Sequence, residues 1–134
     1  MSCYNWEEGT IKIPARQFKD FANKVLLAAK SYIDQGHQKI ISFDDGCITL
    51  DYKTHCVCWD VPENNRASEH ARDELVARAL FRALEQIKWV RGSGGTIVGN
   101  DEYNRDSRGV GGGGNYEVAY YGPPRKTKTS RRFR

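Results

Sequence analysis

The segment from Gly92 to Asn115 concentrates the groups in this sequence that suit nucleotide chemistry. It holds nine of the thirteen glycines, and glycine lets main-chain N–H groups approach an anion closely, as a phosphate cradle requires. Gly112 and Gly113, inside the run Gly111–Gly114, are the candidate cradle. Arg105 and Arg108 add guanidinium groups that pair with phosphate oxygens in bidentate fashion. Tyr103, or Trp89 just upstream, offers a ring on which a base can stack. Asn100 and Asn104 each present a donor and an acceptor, the inventory that reads a base edge. Arg72, in a second helical stretch, and Arg125, in the C-terminal segment, complete the candidate ligand-binding set. The plain alternative is a low-complexity hairpin connection with no ligand.

Other clusters carry less. Cys56 and Cys58 lie two apart in a strand pattern and so share one sheet face. With Cys47 and His55 near in sequence they suggest zinc, but the spacing is not that of a zinc knuckle and no second ligand pair follows. Free, buried thiols are the expectation, Cys3 included. Asp101, Glu102 and Asp106 suit a magnesium ion, yet acids in a glycine-rich loop are commonly solvated turn residues. His37, His55 and His70 belong to no catalytic pattern, and Walker, Rossmann, HExxH and GxSxG motifs are all missing. The expectation is a binding protein with no cofactor and no resident metal, not an enzyme.

These groups need elements to position them. Thr10–Ile13 alternates as a short strand, and Pro14 suits the first turn of a helix. Phe18, Phe21, Ala22, Val25, Leu26, Ala29, Tyr32 and Ile33 follow helical spacing, with a stop near Asp34-Gln35-Gly36. A meander comes next: Lys39–Phe43, a turn at Asp45-Gly46, Cys47–Tyr52, a turn near Lys53-Thr54, and His55–Val61 closed by Pro62. Asn64–Ser68 offers caps for a second long helix with the apolar stripe Ala71, Leu75, Ala79, Leu80, Ala83, Leu84 and Ile87. Thr96-Ile97-Val98 and Tyr116–Tyr121 supply the last two strands. The order β-α-β-β-β-α-β-β predicts an α+β fold, a mostly antiparallel sheet with two long helices on one face.

The 134 residues, 39% hydrophobic and 28% charged, suit one ordinary globular domain. Its expected span is 1–122, with 123–134 a basic tail expected to be disordered unless bound. The formal charge of +4 is misleading, because residues 123–134 carry six basic residues and no acid. The remaining 122 residues hold 15 Lys and Arg against 17 Asp and Glu, so the body is not a basic nucleic-acid surface. No apolar run reaches the roughly 20 residues of a membrane span, and no secretory signal opens the chain. A cytoplasmic, soluble protein is expected.

Two resemblances bear on function. The core Pro14–Val90 runs α-β-β-β-α, the order of the double-stranded-RNA-binding domain. The lysine cluster that domain uses on phosphates is replaced here by the balanced stretch Arg66–Glu74. RNA or DNA binding, carried by the basic tail, is therefore the alternative reading. In size, in its six expected strands and two helices, and in the loop Gly95-Thr96-Ile97-Val98-Gly99-Asn100-Asp101-Glu102-Tyr103-Asn104, the chain resembles the first phage anti-Thoeris sponge family. The resemblance implies a non-enzymatic homo-oligomer that encloses a cyclic ADP-ribose-type signal between protomers, with cyclic oligonucleotides held by some members. Arginines on the phosphates, and an aromatic residue and an asparagine near the base, are what it implies for the site. If the protein is phage-encoded, it would act in the host cytoplasm.

Overall fold

The computed structural model describes residues 5–29, 33–43, 46–64, 71–72, 74–101 and 116–124. Among these residues nine elements follow one another: β1 (Asn5–Lys12), α1 (Ala15–Ala28), β2 (Ile33–Gln35), β3 (Gln38–Phe43), β4 (Gly46–Asp51), β5 (Cys56–Asn64), α2 (Leu75–Glu85), β6 (Gly94–Asp101) and β7 (Tyr116–Tyr121). The seven strands form one sheet in the order β2-β3-β4-β5-β1-β6-β7, every neighbouring pair antiparallel. The fold is α+β, as the pattern predicts, with one strand more than expected. No helix of the described residues is long and apolar enough to cross a membrane.

Strand register sorts side chains onto two faces. Ile41, Ile48, Leu50, Val57, Trp59, Val61, Ile11 and Ile97 point to one face and are buried there. They form a single core with Phe18, Phe21, Ala22 and Val25 of α1 and Val76, Ala77, Leu80, Ala83 and Leu84 of α2. Both helices therefore cover the same face. The other face carries the alternate residues of each strand, and the described residues include no helix over it.

Several boundaries differ from expectation, each for a local reason. β1 begins at Asn5, five residues before the expected strand. α1 stops at Ala28, with Ala29 already extended, and Ile33–Gln35 forms β2 instead of a last helical turn. Gly36, at φ 71°, serves a tight hairpin between β2 and β3 rather than a helix C-terminus. Gly46 pairs with Phe43, so it belongs to β4 rather than to the expected turn, and residues 44 and 45 lie outside the described residues. Pro62 lies inside β5, where β1 and β5 slip register between Asn5↔Asn64 and Glu7↔Val61. A bulge there tolerates a residue with no N–H to donate.

The second helix is shorter and rotated. Ala71 and Arg72 are helical, but Glu74 is extended (φ −69°, ψ 146°), and α2 starts afresh at Leu75. The break shifts the helical phase, so Val76 and Ala77 enter the core while Leu75 is 61% exposed. Lys88 and Arg91 lie beyond its end. The expected caps between 65 and 68 fall outside the described residues.

The β4–β5 turn is pinned by one carboxylate. Asp51 Oδ1 accepts the backbone N–H groups of Lys53 (2.9 Å) and Thr54 (3.2 Å), and Gln38 Nε2 donates to Oδ2 (3.4 Å). His55 follows in the left-handed region at φ 61°. The hydrogen bond from the Thr54 backbone, foremost, holds the Asp51 carboxyl below the usual carboxylate range. Folding therefore favours the ionised form, and this support is present above the ordinary carboxylate pKa and lost as pH falls through the lowered one. Asp51→Ala is expected to speed amide exchange at Lys53 and Thr54 at neutral pH. The difference from the parent protein should shrink in strong acid, which exchange measured across pH would show.

Candidate functional site

The sheet face opposite the two helices, which no described helix covers, is hollowed where β5, β1 and β6 lie side by side. The hollow has a volume of about 590 Å³ and is lined by Trp6, Glu8 and Thr10 of β1, Cys58 and Asp60 of β5, and Thr96 and Val98 of β6. Gly9 and Trp59 also line it, but they alternate onto the helix-covered face and offer main chain alone. Register builds the hollow row by row. Glu8 stands between Asp60 and Val98, and Thr10 stands between Cys58 and Thr96. Thr10 Oγ1 and Cys58 Sγ are 3.4 Å apart, a weak cross-strand hydrogen bond.

The electrostatics of the hollow are one-sided. Among the described residues that line it there are two carboxylates, Glu8 and Asp60, and no basic side chain. Beside it, burial pushes the Cys47 thiol up, helped by the charge of Asp60 and by Cys58. Cys47 thus stays protonated at neutral pH and is a poor nucleophile. Cys47, Cys56 and Cys58 are free thiols, half-buried rather than buried as expected. Among the described residues no group of three or more His, Cys, Asp or Glu side chains is close enough to hold a metal ion.

Behind this face, on the helix side, lies a polar cluster. Glu7 is 8% exposed, the one buried charged residue among those described. Its carboxylate accepts Trp59 Nε1–H at 2.8 Å and Arg72 Nε–H at 2.9 and 3.1 Å. The Arg72 guanidinium also lies 4.6 Å from the centroid of the Phe81 ring, and Phe81 meets Trp59 edge-on at 5.1 Å. Arg72 was expected to grip a ligand. The structure places its Nε on Glu7, which joins β1 to the second helical region, with the side chain 43% exposed.

The other expected site residues divide sharply. Trp89 packs partly buried against the core and does not line the open-face hollow. Its place is fixed next door, where Gln17 accepts from Lys88 N (2.9 Å) and donates to Lys88 O (2.7 Å). The backbone of Asn100 lies in β6 between Trp6 and Tyr116, at the edge of the hollow. Tyr103, Asn104, Arg105, Arg108, Gly112, Gly113 and Arg125 lie outside the described residues. So do His70, Cys3, Glu102 and Asp106. His37 is in the β2–β3 turn, and the His55 ring packs 5.5 Å from Phe18.

Sequence reasoning missed Trp6, Glu8, Thr10, Asp60 and Thr96. The local signal was the alternation Trp6-x-Glu8-x-Thr10, which reads as one strand face once Asn5–Gly9 is taken as β. Comparison with protein-family models, with curated proteins and with solved structures finds no match to the chain.

Proposed function

We propose that this protein binds and sequesters, without turnover, a small cyclic nucleotide of the cyclic ADP-ribose or cyclic oligonucleotide kind, with the nucleoside portion in the open-face hollow. The observation that carries this reading is a hollow of about 590 Å³ in which an indole, two carboxylates and two hydroxyls converge. Small-molecule sites typically measure about 300–1,000 Å³. Trp6 supplies a stacking surface, worth about 1–3 kcal/mol per base. Glu8 and Asp60 suit the amino groups of a base edge or the hydroxyls of a ribose, both donors to a carboxylate. They repel phosphate, so the phosphates must extend beyond the hollow toward cations. Arg105 and Arg108 belong to the segment joining β6 to β7, whose anchoring strand ends include Asn100, the cross-strand neighbour of Trp6.

The test is a thermal-shift series with cyclic ADP-ribose isomers, cyclic di- and trinucleotides and short RNA. A ligand at 100 times its Kd stabilises by about 2.7 kcal/mol, several degrees for a domain of this size. The expected result is a shift with a cyclic nucleotide, intact ligand recovered after denaturation, and affinity about 10- to 100-fold weaker in Trp6→Ala. A ligand returned as a hydrolysed product would replace sequestration with catalysis, for which the cross-strand pair Glu8 and Asp60 would be the first candidates. A response to RNA alone, falling steeply with salt, would favour the nucleic-acid reading.

A further inference from the structure

We propose that residues 125–134 dock on this chain's own open sheet face, laying their cations over the hollow against Glu8 and Asp60. The inference stands apart from the nucleotide reading and starts from charge. The described residues that line the hollow include two acids and no base, while residues 125–134 hold Arg125, Lys126, Lys128, Arg131, Arg132 and Arg134 with no acid.

The path of the chain gives the second argument. Tyr120 pairs with Thr96, which pairs with Thr10, so the Tyr120 side chain belongs to the open face. Its hydroxyl donates to the Pro123 carbonyl at 3.0 Å. Gly122 is folded against the same side chain so closely that a Cβ there would lie 2.5 Å from Tyr120 Oη. The chain leaving β7 therefore turns onto the open face, not toward the helices. From Tyr120 to Glu8 is two strands across and two residues along, about 12 Å. Ten residues span up to about 33 Å, so both carboxylates are within reach. Val118, 62% exposed on the same face, offers apolar surface to the aliphatic stems of Arg and Lys.

Zero-length carbodiimide coupling of the full chain at low salt reads this contact directly, because it joins an amine to a carboxylate already paired with it. The expected products link Lys126 or Lys128 to Glu8 or Asp60. In a mixture of ¹⁴N- and ¹⁵N-labelled protein they should join residues of one isotope only. Glu8→Gln with Asp60→Asn should reduce tail-derived links at least tenfold, as should 1 M salt. A full charge exchange, Glu8→Lys and Asp60→Lys with Arg125, Lys126, Lys128, Arg131, Arg132 and Arg134 all replaced by Glu, should restore coupling in the reversed sense. Links scattered over helix-side acids such as Asp20 and Glu85, links between differently labelled chains, or no tail links at all would overturn the proposal.

Discussion

Gly9→Ala is expected to cost about 3 kcal/mol of stability, and Gly9→Val more. β1 runs between β5 and β6, with Gly9 opposite Trp59 on one side and Ile97 on the other. A Cβ at Gly9 would lie 2.3 Å from the Thr96 carbonyl oxygen and 2.8 Å from Ile97 Cα. Both are backbone atoms of the adjacent strand, so no side-chain rotation relieves the clash, and β6 must move. Overpacking a well-packed site costs about 1–3 kcal/mol, and more when backbone must shift. For a domain of this size 3 kcal/mol corresponds to a fall in Tm of roughly 10 °C. Gly36→Ala is the matched comparison: nothing lies within 4 Å, and only its φ of 71° opposes a side chain. Its cost should be about 1 kcal/mol. Thermal unfolding of the two variants separates lack of space from backbone strain, and equal losses would show that β1 and β6 are not packed as closely as described.

The same strand shows where the sequence was legible and where it was not. The α1 stripe through Phe18, Phe21, Ala22 and Val25 was readable because nothing interrupts its helical period. The alternation of Ile48 and Leu50, and of Val57, Trp59 and Val61, was readable for the corresponding reason at period two. β1 was readable only from Thr10 onward, because its inward positions before that are Glu7 and Gly9. A period-two pattern shows a core face only if inward residues are apolar, and Glu7 is turned inward by Trp59 and by Arg72, 65 residues away. The phase of α2 was lost at Glu74, whose extended backbone leaves no mark in composition. The open-face hollow was hidden for another reason: the sheet inserts β1 between β5 and β6. Trp6, Asp60 and Thr96 converge only once that strand order is known, and no local spacing encodes it.

Glu7→Ala should be the most damaging single loss of polar contacts, about 2–3 kcal/mol. It removes the acceptor of both Trp59 Nε1–H and Arg72 Nε–H from a site where Glu7 is nearly sealed from water. Breaking a fully buried ion pair costs about 3–5 kcal/mol. The Arg72 side chain is 43% exposed, so solvent screens part of the interaction and the lower figure applies. Glu7→Gln keeps an oxygen for the indole and loses only the charge, so about 1 kcal/mol is expected. Arg72→Ala should destabilise the ligand-free protein, because it strands the Glu7 carboxylate. The thermodynamic cycle decides what Arg72 is for. If it serves Glu7, the double variant should be clearly less destabilised than the sum of the two singles, as neighbours sharing one interaction behave. Additive losses in denaturant unfolding, combined with weaker ligand binding in Arg72→Ala alone, would return this arginine to the ligand.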